Sequence, residues 1–198
     1  MADLEGGAEE HEVLRQVRAA HDDETLVVYQ AYSPAIAEPA VEAGTFVSPF
    51  KRERMTWIKP SFNWMMYRCG WATKPGQERV LAITITRAGF DWALEHSCLA
   101  DEASKERKRA CPVRVQWDPV RDVALQRLEH RAIQVGLGGE AVGRYVDEWI
   151  TAIEDVTPLA REIAGLVRAG DLAAASRLLP EETPLKVSEA AAAAVGAG

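Results

Sequence analysis

Cysteine is scarce in this chain. Cys69, Cys98 and Cys111 are the only three in 198 residues, none forms a CxxC pair, and an odd number cannot all pair internally. A disulfide framework is therefore not expected, and reduced thiols in a reducing compartment are. No apolar run approaches the roughly 20 residues of a membrane span. The first twelve residues, MADLEGGAEEHE, are acidic where a secretory signal would be basic and then apolar. These absences predict a cytoplasmic protein with no membrane association. Signatures of phosphate loops, dinucleotide folds, zinc proteases and serine hydrolases are missing too. His96, Cys98 and Cys111 have no fourth ligand at a spacing that closes a zinc site, so no metal is expected. None of the four histidines, His11, His21, His96 and His130, has an obvious nucleophile beside it, and no spacing supports a Ser-His-Asp triad.

The net charge of −7 opposes general attraction to nucleic acid, but the charge is unevenly spread. Residues 1–25 hold eight acids and two bases, Lys51 to Arg79 seven bases and two acids, and Lys105 to Arg131 eight bases and four acids. A basic middle between acidic ends allows a phosphate-rich ligand in an acidic protein. Length and a hydrophobic content of 47% fit one core. The expected organisation is a disordered acidic segment over 1–12, one domain over 13–180, and a flexible alanine-rich tail over 181–198.

In chain order, the pattern predicts a short helix around Val13 to Ala20, a buried strand over Thr25 to Tyr32 and a helix over Pro34 to Ala43 that stops at Gly44. Met55 to Ile58 reads as a strand, and Arg79 to Thr86, RVLAITIT, is the clearest strand of all. A helix is expected from Arg87 to Leu99, then a charged loop or helix tail to Ala110. Strands follow at Pro112 to Trp117, closed by Asp118-Pro119, and at His130 to Leu137. The last elements are a helix over Glu140 to Trp149, a strand over Ile150 to Val156, a helix from Thr157 to about Ala169 and a short one over Leu172 to Leu179. The fold class is α+β, a split and mainly antiparallel sheet with flanking helices.

The densest stretch is Arg54 to Trp71, RMTWIKPSFNWMMYRCGW, which holds three of the six tryptophans. Pro60 stops its strand, Ser61 is placed as the N-cap of a helix, and Gly70 ends that helix. Phe62, Met65, Met66 and Cys69 recur at helical spacing as one apolar stripe. This stretch has two readings. In one it is a core helix with snorkelling cations. In the other it is a ligand wall, in which Trp57 and Trp64 offer faces to a base while Lys59 and Arg68 meet phosphate. Two glutamines on strands, Gln30 and Gln134, could join that wall, because an amide pairs a donor with an acceptor against a ribose hydroxyl or a carboxamide.

The strings VYQAYSPAIAEPAV, FVSPFKRERMTWIKPSFNWMMYRCGWATKPGQERVLAI, RAIQVGL and YVDEWITAIEDVT resemble the bacterial and fungal family catalogued as domain of unknown function four-two-nine-one. A more distant resemblance is to ADP-ribosyltransferase-like domains. There a strand ending in Tyr followed by Arg or His binds NAD, and a glutamate on a late strand acts at the anomeric carbon. Gln30 stands where the Arg or His would be, and Gln134 where the catalytic Glu would be. That likeness implies an NAD-dependent transferase of ADP-ribose with nucleic acid, DNA or RNA, as a candidate acceptor. Gln30 and Gln134 would be the catalytic positions, and Tyr29, Gln30, Tyr32, Trp57, Lys59, Ser61, Trp64, Tyr67 and Arg68 would contact the nucleotide. A neutral Gln134 orients a ribose but is a poor base, so Glu140, Glu148, Glu154 and Asp155 are the acids that could take its place. The alternatives are a non-catalytic module binding a nucleotide or a nucleic-acid end, and an interaction protein whose tryptophans are mostly core.

Overall fold

Alternation between buried and exposed side chains in β-branched segments builds two larger, mainly antiparallel sheets joined by one backbone bridge, and a small two-stranded one. In the computed structural model, which describes residues 15–197, the strands are β1 (Arg18–Ala19), β2 (Thr25–Tyr32), β3 (Thr56–Ile58), β4 (Arg79–Thr86), β5 (Ser97–Leu99), β6 (Val113–Arg121), β7 (Arg127–Leu137), β8 (Ile150–Asp155) and β9 (Thr183–Pro184). The helices are α1 (Pro34–Ala43), α2 (Phe62–Cys69), α3 (Arg87–Glu95), α4 (Lys105–Ala110), α5 (Glu140–Arg144), α6 (Thr157–Arg168), α7 (Leu172–Arg177) and α8 (Glu189–Val195). A π-helical turn, Tyr145–Trp149, continues α5.

One sheet has the order β2-β4-β8, antiparallel throughout. A second has the order β3-β7-β6-β5, antiparallel except for the parallel pair β5-β6, and β1 and β9 form a third, two-stranded antiparallel sheet. The two larger sheets touch where Tyr29 and Lys59 exchange two backbone hydrogen bonds, Tyr29 N to Lys59 O at 2.8 Å and Lys59 N to Tyr29 O at 3.3 Å. A split, mainly antiparallel α+β fold is thus what the strand pattern predicts and what forms.

Strand β2 is covered on both faces. Leu26 and Val28 join a core with Ile58, Ile83, Ile85, Val115, Val135 and Leu137, whereas Tyr29 packs with Phe62, Met65, Met66, Val80 and Ile163 beneath α2 and α6. Burying a branched or aromatic side chain in such a core contributes about 1.5–3 kcal/mol. None of the described helices is long and apolar enough to cross a membrane.

Four expectations are corrected. The part of the predicted helix Val13 to Ala20 that lies within the described residues is extended: Val17 and Ala19 are buried, Gln16 and Arg18 are exposed, and Leu185 N donates to Val17 O at 2.8 Å. Burial with a period of two is that of a strand. The helix expected to reach Leu99 stops at Glu95, after which Ser97–Leu99 pairs with β6. Strands β6 and β7 are longer than predicted, because Asp118-Pro119 does not turn the chain; Pro119 sits at the edge of a register shift inside the pair, where a missing N–H is tolerated. The tail expected to be flexible forms β9 and α8. Ser188 caps α8, Ala191 and Val195 are buried, and Trp117 Nε1 donates to Val195 O at 2.8 Å.

Candidate functional site

Beside the seam between the sheets lies a cleft of about 500 Å³, lined by Gln30, Tyr32, Met55, Thr56, Trp57, Lys59, Trp64, Met65, Arg68, Gln77, Gln116 and Gln134 among others. Local sequence chemistry builds each wall. Pro60 ends β3 just past Lys59, and the Ser61 hydroxyl accepts from Trp64 N at 3.4 Å, which starts α2 immediately. Gly70, in the left-handed region at φ +61°, closes that helix. Phe62, Met65, Met66 and Cys69 are buried as the stripe predicted, and Trp64 and Arg68, one turn apart, both face the cleft. Trp57 lies across from Gly136 on β7 so closely that a Cβ at that glycine would stand 2.9 Å from three ring atoms.

The back wall is a closed hydrogen-bond network. Gln30 is 3% exposed; its Oε1 accepts from the Tyr145 hydroxyl at 2.8 Å, and its Nε2 donates towards Thr56 Oγ1 at 2.6 Å, Tyr32 Oη at 3.0 Å and Trp57 O at 3.2 Å. Tyr32 and Thr56 hydroxyls share a further bond at 2.8 Å. Burial pushes the Tyr32 phenol up to about 12, with the bonds to Thr56 and Gln30 opposing it, and burial also raises Tyr145. Both stay protonated donors. Gln30 therefore has two amide protons facing three acceptors, and its polar capacity serves the wall.

The two cations differ in kind. Arg68 is exposed at the rim, whereas Lys59 is 6% exposed, with Nζ donating to Trp57 O at 3.1 Å and lying 5.4 Å from the centre of the Trp64 ring. Burial first, and then Arg68, lower its pKa to about 7, while Asp118 and Cys69 pull the other way. On the facing sheet Gln134 pairs across from Gln116, and Gln134 Nε2 donates to Asp118 Oδ2 at 2.5 Å and towards Gln116 Oε1 at 3.3 Å. Burial raises the Asp118 carboxyl, and the bond from Gln134 holds it back.

Seven of the sequence-predicted residues, Gln30, Tyr32, Trp57, Lys59, Trp64, Arg68 and Gln134, thus line one cleft. Three do not. Tyr29 alternates with Gln30 along β2, so its ring points the other way and packs edge-on to Phe62 with centroids 5.3 Å apart. Ser61 faces a separate cavity of about 70 Å³ with Arg18, Arg131 and Glu182. There the Glu182 carboxylate accepts from Phe62 N at 2.6 Å, and burial raises it to about 7. Tyr67 is 44% exposed on the outer face of α2, under the Arg121 guanidinium at 3.8 Å.

The four acids considered as substitutes are also elsewhere. Glu140, Glu148 and Glu154 are exposed, and Asp155 accepts from Thr157 N at 2.9 Å and lies 3.6 Å from Arg79. Asp118 is the acid that reaches Gln134. It escapes the sequence reading because Asp-Pro signals a turn; once the strand runs on, Gln116 and Asp118 fall on one face, two residues apart.

Among the described residues no three of His, Cys, Asp or Glu assemble as a metal site. No curated protein matches the chain. Residues 16–185, most of its length, match one family model, and the chain belongs to the family described as Domain of unknown function (DUF4291).

Proposed function

We propose that the cleft binds a nucleotide diphosphate, with NAD as the ligand, and that it serves transfer of ADP-ribose to an acceptor. The observation that carries this reading is the juxtaposition of Arg68, Lys59, Trp57 and Trp64 on one side with the Gln134–Asp118 pair on the other. Phosphates suit the exposed guanidinium of Arg68, which offers paired N–H donors, and the indoles give a base a stacking face. Gln134 orients a ribose, while the raised carboxyl of Asp118 supplies the proton acceptor that Gln134 lacks. In this reading the role of the superfamily glutamate is divided between two residues on adjacent strands. DNA and RNA are the acceptors to try first, because Lys51 and Arg54 line a second depression of about 290 Å³ that shares Tyr32, Met55 and Thr56 with the cleft.

A non-catalytic nucleotide or nucleic-acid-end module is the second reading. It is favoured by the position of Gln30, whose amide is occupied within the wall, so that the residue standing in the NAD-binding Arg or His position has no donor left for a ligand. Calorimetric titration with NAD, followed by incubation of the same mixture with DNA, RNA and protein, separates the two. Binding with labelled acceptor supports the transferase, binding without transfer selects the module, and absence of binding to NAD, DNA and RNA alike overturns both.

A further inference from the structure

Lys59 is the one lysine of six that is buried, and it is also the one that lines the cleft. Its backbone is fixed on both sides, by the exchange with Tyr29 and by Pro60. As an ammonium ion its side chain has the Trp64 ring, 5.4 Å away, but few hydrogen-bond acceptors. Three N–H donors face one acceptor, Trp57 O, and among the described residues no carboxylate lies within ion-pairing distance. Buried cations are ordinarily paired. A neutral amine needs less, and its nitrogen lone pair is then available inside a space bounded by two indoles. Burial and the nearby Arg68 both favour that neutral form, the combination by which enzymes turn a lysine into a nucleophile.

We propose that Lys59 is an amine nucleophile that captures the C1 aldehyde of a ribosyl diphosphate held in the cleft, forming an imine. The step balances without an added oxidant or reductant. Nζ bonds to C1, the C1=O bond breaks, and the two protons lost by nitrogen leave with the carbonyl oxygen as water. This inference rests on the nucleotide reading of the cleft and gives it a covalent chemistry that neither Gln30 nor Gln134 supplies. Arg68 is a positioning residue in it, holding the phosphates one helical turn from Trp64.

The test uses the full chain and ADP-ribose, whose ring-opened form carries the aldehyde. Incubation with sodium cyanoborohydride reduces any imine to a stable amine, and peptide mass spectrometry locates the added mass. The expected result is labelling of Lys59 at least tenfold faster than of Lys51, Lys74, Lys105, Lys108 or Lys186, all of which are more exposed. Excess ADP, which lacks an aldehyde, should suppress labelling of Lys59 and leave the others unchanged. Arg68→Ala should slow Lys59 alone. Labelling that follows exposure, with Lys59 slowest, overturns the proposal. Calorimetry with ADP-ribose on the same sample distinguishes the two failures: binding without preferential labelling removes Lys59 as nucleophile and keeps the nucleotide site, whereas absence of both binding and labelling removes the site as well.

Discussion

The Tyr145 hydroxyl donates to Gln30 Oε1 at 2.8 Å, joining residues 115 positions apart where neither is open to solvent. This bond ties the π-helical turn to the back wall of the cleft. Tyr145→Phe leaves the ring packing in place and strips the amide oxygen of its donor. An unsatisfied buried acceptor costs about 1–3 kcal/mol, so chemical denaturation should show a loss of that size. A loss under a few tenths would mean that Gln30 finds another donor.

The Gln134–Asp118 contact gives opposite expectations for two substitutions. Asp118→Asn keeps the strand pair and removes the proton acceptor; NAD binding should persist while any transfer falls by on the order of a hundredfold. Gln134→Glu places a second carboxyl against Asp118, so that one of the two is held protonated. The folded-state pKa of that pair then exceeds its unfolded value, and the variant's stability should fall as pH rises through it. Relative to the parent protein, Gln134→Glu should be less stable at pH 8 than at pH 5. Equal differences at both pH values would show that residue 134 and Asp118 are uncoupled.

Arg68 is the exposed cation of the cleft, and its removal tests the phosphate side of the proposal. Arg68→Ala should weaken nucleotide diphosphate binding by about 1–3 kcal/mol, the range for charge-assisted hydrogen bonds, and should flatten the dependence of affinity on salt. Titrations at low and high salt with ADP and with adenosine check both points. Adenosine affinity should be unchanged.

Two desolvated groups shape the dependence of stability on pH. Lys59 has a folded-state pKa of about 7 against 10.5 when unfolded, so the unfolded chain binds more protons between those values and stability rises with pH across that window. Glu182 has a folded-state pKa of about 7 against 4.5, so the folded chain binds more protons from 4.5 to 7 and stability falls with pH there. Together they place a minimum near pH 7. Lys59→Met should remove the rising limb, a gain on the order of a few kcal/mol at neutral pH. Glu182→Gln, which keeps an acceptor for Phe62 N, should remove the falling limb. Thermal melts from pH 4 to pH 10 on the three proteins read both limbs.

The fold was legible wherever local chemistry agreed with tertiary packing. Thr25–Tyr32, Pro34–Ala43 and Arg79–Thr86 fall where β-branched runs and the Pro34 and Gly44 signals put them, and Ser61 and Gly70 bracket α2 as their capping chemistry dictates. Legibility failed where a distant partner decided the outcome. Val17 and Ala19 are extended because Thr183–Pro184 pairs beside them, and the alanines of 189–195 form a helix against α3 and β5. The same division holds at the site. Trp64, Lys59 and Arg68 are visible in one continuous string, but whether Tyr29 or Gln30 faces the cleft depends on which side of β2 the second sheet takes. Asp118 enters only through a strand pair that its own Asp-Pro sequence argues against.

The backbone link between the two larger sheets is the exchange between Tyr29 and Lys59, backed by side-chain bonds from Gln30 and Tyr32 to β3, so the cleft has a backbone spine one residue pair long. Opening of the sheets would break those two bonds before any strand within either sheet separates, and a ligand bridging Trp64 to Gln134 would act as a clasp across the joint. The amides of Tyr29 and Lys59 are therefore reporters of breathing: their hydrogen exchange, faster than that of neighbouring Val28 and Ile58 in the free protein, should slow most when the cleft is filled.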